Sequence, residues 1–361
     1  MEEKSRDENL EEGTAYETAS AALHTPKYYK KLRSYHGILA LAATGLLVWF
    51  SPVGRILGLY GTGVDELLML GASVLIVRGA GADVREVFPV RRPTFSGVAG
   101  TVILWLASYL GVMIVTLILT FLFPQEMASV SGGLLSAFLS VPFPVLFFIV
   151  AILPAICEEA VFRGVLLNSL CCAEGKPLLG REPGKKRGRY YNLSSGRKWS
   201  VILITGMIFG IFHGNLLRFF PTAILGVMLG YILMESENMV YNGLFHCINN
   251  AIPVMMSYAM KDFYAQMEMG TVQGMSLDAL PFLSVGVYLC YGTLIPFFLY
   301  IGNYLLHKEI PGYRTKLFPT GKPWIILVLI GCSIFFLLAG IGVIGWSILS
   351  EPDILRDFLA M

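Results

Sequence analysis

Charge is what this sequence has least of. Asp, Glu, Lys and Arg make up 14 % of its 361 residues, against roughly 25 % in soluble globular domains. That scarcity excludes a disordered chain, a nucleic-acid binder and an ordinary cytosolic enzyme. The net charge of +2 is too small to imply an acidic partner, so the placement of charge matters more than its sum. No C-x-x-C spacing occurs among the six cysteines, Cys157, Cys171, Cys172, Cys247, Cys290 and Cys332, so neither a zinc ribbon nor a redox motif is supported. Cys171 and Cys172 are adjacent, which disfavours a simple bridge between them. Each cysteine is expected to be a small buried apolar side chain. A G-x-G-x-x-G or P-loop pattern is missing, and with it the usual phosphate cradle. H-E-x-x-H is missing too. No cleavable leader is expected, because the first 35 residues are polar and the first hydrophobic run starts late, as an uncleaved internal span would.

What the chain has instead is hydrophobic length. Apolar residues make up 55 %, and they fall in runs at about 37–53, 63–78, 97–123, 134–170, 199–215, 217–234, 239–260, 281–305 and 323–349. Runs approaching about 20 apolar residues are membrane-span candidates. The expected fold class is all-α, a polytopic transmembrane helix bundle with about eight or nine spans. The run at 134–170 would measure about 55 Å as one helix, longer than a bilayer needs. Pro142, Pro144 and Pro154 are expected to kink or break it. The organisation reads as a polar tail with a basic collar (1–35), amino-terminal transmembrane helices (36–133), a core (134–260) with a basic loop at 171–198, and carboxy-terminal transmembrane helices (261–361). No internal repeat is visible, so an inverted-repeat transporter is not favoured.

Lys and Arg set the orientation. Lys27, Lys30, Lys31 and Arg33 precede the first run. Further basic segments lie at 78–92, 171–198 and 306–322. With nine spans and a cytoplasmic N-terminus, all four fall on the cytoplasmic side. The turns near 54–62, 124–133, 216 and 261–280 fall outside, as does the C-terminus. The acidic turn Glu235–Glu237 is predicted inside, a mild exception, since acidic residues contribute little to the rule. The expected location is the cell membrane, with the lipid bilayer as surroundings and no nucleic-acid partner. The sequence gives no oligomeric state.

Ionisable groups inside apolar runs are expensive and are functional candidates by default. Glu158, Glu159 and Arg163 lie in the run at 134–170, Phe209 and His213 in that at 199–215, and His246 and Asn250 in that at 239–260. At 1.5 Å per residue, Glu158, His213 and Asn250 sit about 20 Å from the cytoplasmic edge and His246 about 13 Å. Three separate helices thus place polar groups at similar depth. Helical spacing sorts their roles. Glu159 and Arg163 are i, i+4, the spacing of a same-face ion pair, and are assigned to structure. Glu158 is turned by about 100° from Glu159, free to face a cavity with no permanent cation and suited to general-base work. Phe209 and His213 share a face, where ring packing would fix the imidazole. His246 and Asn250 share another.

These residues resemble the CAAX protease and bacteriocin-processing family of membrane proteins, also called the Abi family. Its pattern of Glu-Glu-x-x-x-Arg, Phe-x-x-x-His and His-x-x-x-Asn is met in order by Glu158-Glu159-x-x-x-Arg163, Phe209-x-x-x-His213 and His246-x-x-x-Asn250. The resemblance covers about 150–255. It implies a glutamate-dependent intramembrane endopeptidase acting on a peptide or membrane-associated protein. Glu158 with His213 would activate a water, and His246 with Asn250 would stabilise the oxyanion. Glu159 and Arg163 would hold the helix that carries Glu158. Members are often described as metalloproteases. His213, His246 and Glu158 would be the ligands if zinc is bound. Glu158 cannot easily be both ligand and base, so metal-free catalysis is the favoured expectation. The alternatives are a non-proteolytic scaffold or bacteriocin-immunity protein of the same fold, a proton-coupled transporter using Glu158 and the histidines, and a nucleophilic Cys157 or Cys247.

Overall fold

The computed structural model describes residues 32–171, 190, 193–262, 280–308, 313–314 and 316–350. The acidic tail with most of its basic collar, the bulk of the loop at 171–198, the turn at 263–279 and the C-terminus lie outside the described residues. The described residues form helices and no strand. In chain order the long ones are α1 (Ser34–Phe50), α2 (Leu59–Gly79), α3 (Phe95–Leu122), α4 (Pro124–Leu139), α5 (Phe143–Cys171), α6 (Ser195–Ile211), α7 (Leu216–Ser236), α8 (Met239–Ala259), α9 (Phe282–His307) and α10 (Trp324–Ser350). The protein is an all-α polytopic bundle. Seven helices among the described residues are long and apolar enough to cross a membrane: α1 with its continuation to Gly54 (21 residues), α2, α3, α5, α7, α9 and α10. Neither α6 nor α8 meets both tests. α6 has 17 residues, and α8 carries Asn242, His246, Asn249 and Asn250 along its length. α6 supplies Phe209 and ends two residues before His213, and α8 supplies His246 and Asn250, whose polarity dilutes its apolar signal.

Each apolar run corresponds to a helix, with one correction. Residues 124–133, expected as an external turn, begin helix α4, because Pro124 stands in its first turn, where the missing N–H costs nothing. The long run at 134–170 accordingly divides. Its first part ends α4, the chain breaks at Ser140–Pro142, and Pro144 sits in the first turn of α5. Pro154 lies inside α5 without ending it. The helix absorbs it by running as a π-helix at Phe148–Ile152, α-helical at Leu153–Glu159 and π again at Ala160–Leu167.

α5 is the most buried of the spans and α10 the least. Around α5 pack α1, α2, α6 and α8. Phe162, Val165, Leu166 and Leu167 join Val77, Ile202, Phe209 and Leu233 in one core cluster. The α6–α7 pair approaches to backbone contact. A Cβ on Gly206 would stand 2.7 Å from Val227 N, and one on Gly226 would stand 2.9 Å from Gly206 Cα. Small residues that let helices touch are the packing device of membrane interiors. α10 turns most of its side chains outward, which is why Cys332 is exposed, contrary to the burial expected of every cysteine. Cys157 and Cys171 are buried, and Cys247 and Cys290 partly so.

The described parts of the basic segments gather at one end of the bundle. Gly37 packs against Ser169 and Leu166, Asn168 reaches Val87 O at 3.5 Å, and Arg91 exchanges backbone hydrogen bonds with the Asn238 side chain, both at 3.1 Å. The acidic turn is neutralised there. Glu235 pairs with Lys198 and with His307 Nε2, and Glu237 with Arg91 at 3.3 Å.

Candidate active site

Glu158 and Glu159 close the short α-helical stretch between the two π segments of α5. π turns are frequent at functional sites because they re-aim the side chains around them. Glu159 is 1 % exposed and Arg163 not at all, so the pair lies in the interior. Arg163 NH1 stands 3.2 Å from Glu159 Oε1. The guanidinium lies over the Phe209 ring, 4.4 Å from its centroid, and its NH2 donates to Gly226 O at 3.1 Å. The expected ion pair is therefore present, and Glu159 has further partners. His246 Nδ1 meets Oε1 at 2.8 Å, and Asn242 Nδ2 donates to Oε2 at 3.2 Å. Asn242 also donates to Leu229 O at 2.7 Å. Sequence reasoning missed Asn242. Its signal is the spacing Asn242, His246, Asn250, one face of α8 at successive i, i+4 steps.

Both histidines are held by Nδ1. A carboxylate paired with arginine only accepts, so Nδ1 of His246 carries the proton it gives to Glu159. Its Nε2 turns toward Glu158, with Oε2 at 3.8 Å. His213 follows the end of α6, where Gly214 at φ +67 turns the chain toward α7. Its Nδ1 lies 2.9 Å from Phe209 O, an acceptor, so this nitrogen too carries the proton and Nε2 is left with its lone pair. Phe209 stands edge-on to both imidazoles, with centroids 4.9 Å from His213 and 5.8 Å from His246.

Glu158 is turned out of the Glu159–Arg163 pair, with its side chain 19 % exposed against 1 % for Glu159. Its surroundings differ from the expectation in one respect. The charges of Arg218 and Arg163 reach it, so the carboxylate is not without a cation nearby. Arg218 stands in the first turn of α7, directly after the bend that sets His213. Residues that open a run read in sequence as flanks, which hid it. Glu66, from α2, was also missed. It is 5 % exposed, and its carboxyl lies against that of Glu158.

Asn250 sits one turn beyond His246. Its Nδ2 donates to Val150 O at 3.0 Å. Val150 is four residues before Pro154, whose ring nitrogen has no N–H to return to that carbonyl. The asparagine of α8 thus satisfies the backbone group that the proline of α5 leaves short, and it keeps a second amide hydrogen for other use.

Among the described residues, no group of three or more His, Cys, Asp or Glu is placed to hold a metal ion. His246 Nδ1 is committed to Glu159 and His213 Nδ1 to a carbonyl, so each ring keeps only Nε2 for any further partner. On the side of the His213 turn, Asn215 with Gln125, Glu126, Ser129 and Val130 of α4 lines an open cavity of about 410 Å³.

Residues 140–252 match the family model described as type II CAAX prenyl endopeptidase Rce1-like. The matched segment is less than a third of the chain and contains every site residue named from the three motifs. The match supports a membrane-embedded protease at the level of the family. No curated protein and no solved structure matches the chain.

Proposed function

We propose that the protein is an intramembrane endopeptidase that hydrolyses a peptide bond with a water activated by Glu158. The observation that carries this reading is the bracing of Glu158. It stands beside His246 Nε2, while the adjacent Glu159 ties α5 to α8 through His246 and Asn242. A peptide substrate enters with its carbonyl carbon facing a water held between Glu158 and His213 Nε2. Glu158 takes a proton as the water oxygen bonds to the carbon. When the C–N bond breaks, Glu158 returns that proton to the departing amine nitrogen. His246 and the spare amide hydrogen of Asn250 face the developing oxyanion. Nε2 of His246 donates there when the ring holds both protons. No step passes through a metal.

The substrate is a peptide or membrane-associated protein, and the setting is the cell membrane with the N-terminus in the cytoplasm. The intact brace around Glu158 favours an enzyme over a scaffold or immunity protein of the same fold. The deciding experiment compares wild type with Glu158→Gln for peptide cleavage in reconstituted membranes. The variant is expected to fold and to lose at least about a hundredfold in turnover, the lower end of what general-base catalysis contributes. Near-normal cleavage by Glu158→Gln would overturn the assignment.

A further inference from the structure

Two carboxyl groups from different helices meet inside the bundle, and only one of them has a part in the proposed chemistry. α2 packs on α5 here, with Gly63 against Ile149 and Leu153 and Leu70 against the cluster that holds Cys157, and between them Glu66 is buried with its carboxyl beside that of Glu158. The Oε2 atoms of Glu66 and of Glu158 are both buried and without a hydrogen-bond donor. Ionised carboxylates only accept hydrogen bonds, so two that face each other are reconciled by one proton between them. The surroundings decide which group holds it. Glu158 lies within reach of Arg163, Arg218 and His246. The charges around Glu66 are Glu158 and Asp65, both acidic. α2 is fixed at this point, since Ser51 Oγ donates to Asp65 Oδ1 at 2.7 Å and anchors the neighbouring residue.

We infer that Glu66 is a positioning residue for Glu158: a neutral carboxylic acid whose O–H donates to the Glu158 carboxylate and aims its other oxygen at the water. This rests on the reading of Glu158 as the base. Glu66 keeps its proton through the cycle, and the proton taken from water moves onto Glu158 and off again. What Glu66 supplies is direction, in a place where any other buried acceptor would leave Glu158 unsatisfied.

The test uses Glu66→Gln and Glu66→Leu in the full chain, reconstituted and assayed for kcat and KM with a cleavable peptide beside wild type and Glu158→Gln. An amide N–H replaces the acid's O–H, so Glu66→Gln is expected to stay within about threefold of wild type. Glu66→Leu has no donor. It is expected to lose about a hundredfold in kcat with KM little changed, the scale on which small misplacements of reacting groups act. Infrared spectra supply a readout independent of turnover. The carboxylic acid C=O band of wild type should be lost in Glu66→Gln and kept in Glu158→Gln. The inference is overturned if Glu66→Gln falls as far as Glu66→Leu while folded, if Glu66→Leu keeps its kcat, or if the acid band survives in Glu66→Gln. Should Glu158→Gln remain active while the acid band still tracks Glu66, the base assignment fails and the shared proton stands.

Discussion

Glu158 and Glu159 are adjacent in the chain and opposite in their surroundings, which makes their substitutions separable. Glu159 accepts from His246 and Asn242 and faces Arg163, all in the interior. Glu159→Gln and Arg163→Ala each leave a buried charge uncompensated, a loss of about 3–5 kcal/mol. Both are expected to lower folded yield and thermal stability in detergent, whereas Glu158→Gln is expected to lower activity alone. Equal thermal stability across the three variants would refute this division. The charged and polar members of this site were legible in sequence because each interrupts an apolar run at a cost that needs a reason. Glu66 and Arg218 were not, and the cause is common to both. Each stands near the start of its run, where a charge reads as the boundary of the span. Only lateral packing reveals that both act on Glu158, and linear spacing holds no lateral information. Asn242 was hidden differently, as an uncharged amide whose importance comes from its partner.

Between residues and molecule, the helices carry information that periodicity cannot express. Reading α5 at 100° per residue placed Glu158 away from Glu159 correctly, because both fall in the α-helical stretch Leu153–Glu159. The same rule has no validity across Phe148–Ile152 or Ala160–Leu167, where the bonding is π. Nor did the run at 134–170 announce that its first residues end a separate helix, although its prolines marked where the break would fall. The contact of α6 with α7 yields a test at this scale. A Cβ on Gly206 would stand 2.5 Å from Val227 Cγ2 and 2.7 Å from Val227 N. The backbone atom cannot rotate away, so Gly206→Val must push the two helices apart. A loss of about 1–3 kcal/mol is expected from such overpacking, with a drop in activity because Gly226 O is the carbonyl that Arg163 grips. A Gly206→Val protein with unchanged melting temperature would show that α6 and α7 do not need this contact.

At the scale of the whole molecule, the arrangement of the basic segments was predicted from charge alone, and the described parts of those segments do lie together. Arg91, Lys198 and His307 surround Glu235 and Glu237 at that end, so the acidic turn is drawn there by pairing. Which side of the membrane this end faces is a matter for labelling. A single cysteine engineered at Gly184, between α5 and α6 in sequence, in a background without native cysteines, is expected to react with a membrane-impermeant thiol reagent only after the cells are opened. Labelling of intact cells would invert the assigned orientation. The bundle class was legible because apolar length and composition dictate it. The span number was less so, because α8 trades hydrophobicity for its amides and imidazole and α6 is cut to 17 residues by the bend at His213.

The π segments of α5 have a consequence for how such a chain can change over time. A π turn bonds i to i+5 where an α turn bonds i to i+4, so it houses one residue more per turn. Substitutions preserve that count, whereas insertions and deletions do not. Loss of a single residue from 153–158 would swing the side chains beyond it by about 100° relative to those before it, with Glu159 and Arg163 still four apart. Loss of one from 160–162 would shorten the spacing of that pair. Descendants of this sequence are thus free to explore composition along α5 far more than length, and the break at 140–142 is a described place where length can vary without turning the face that carries Glu158.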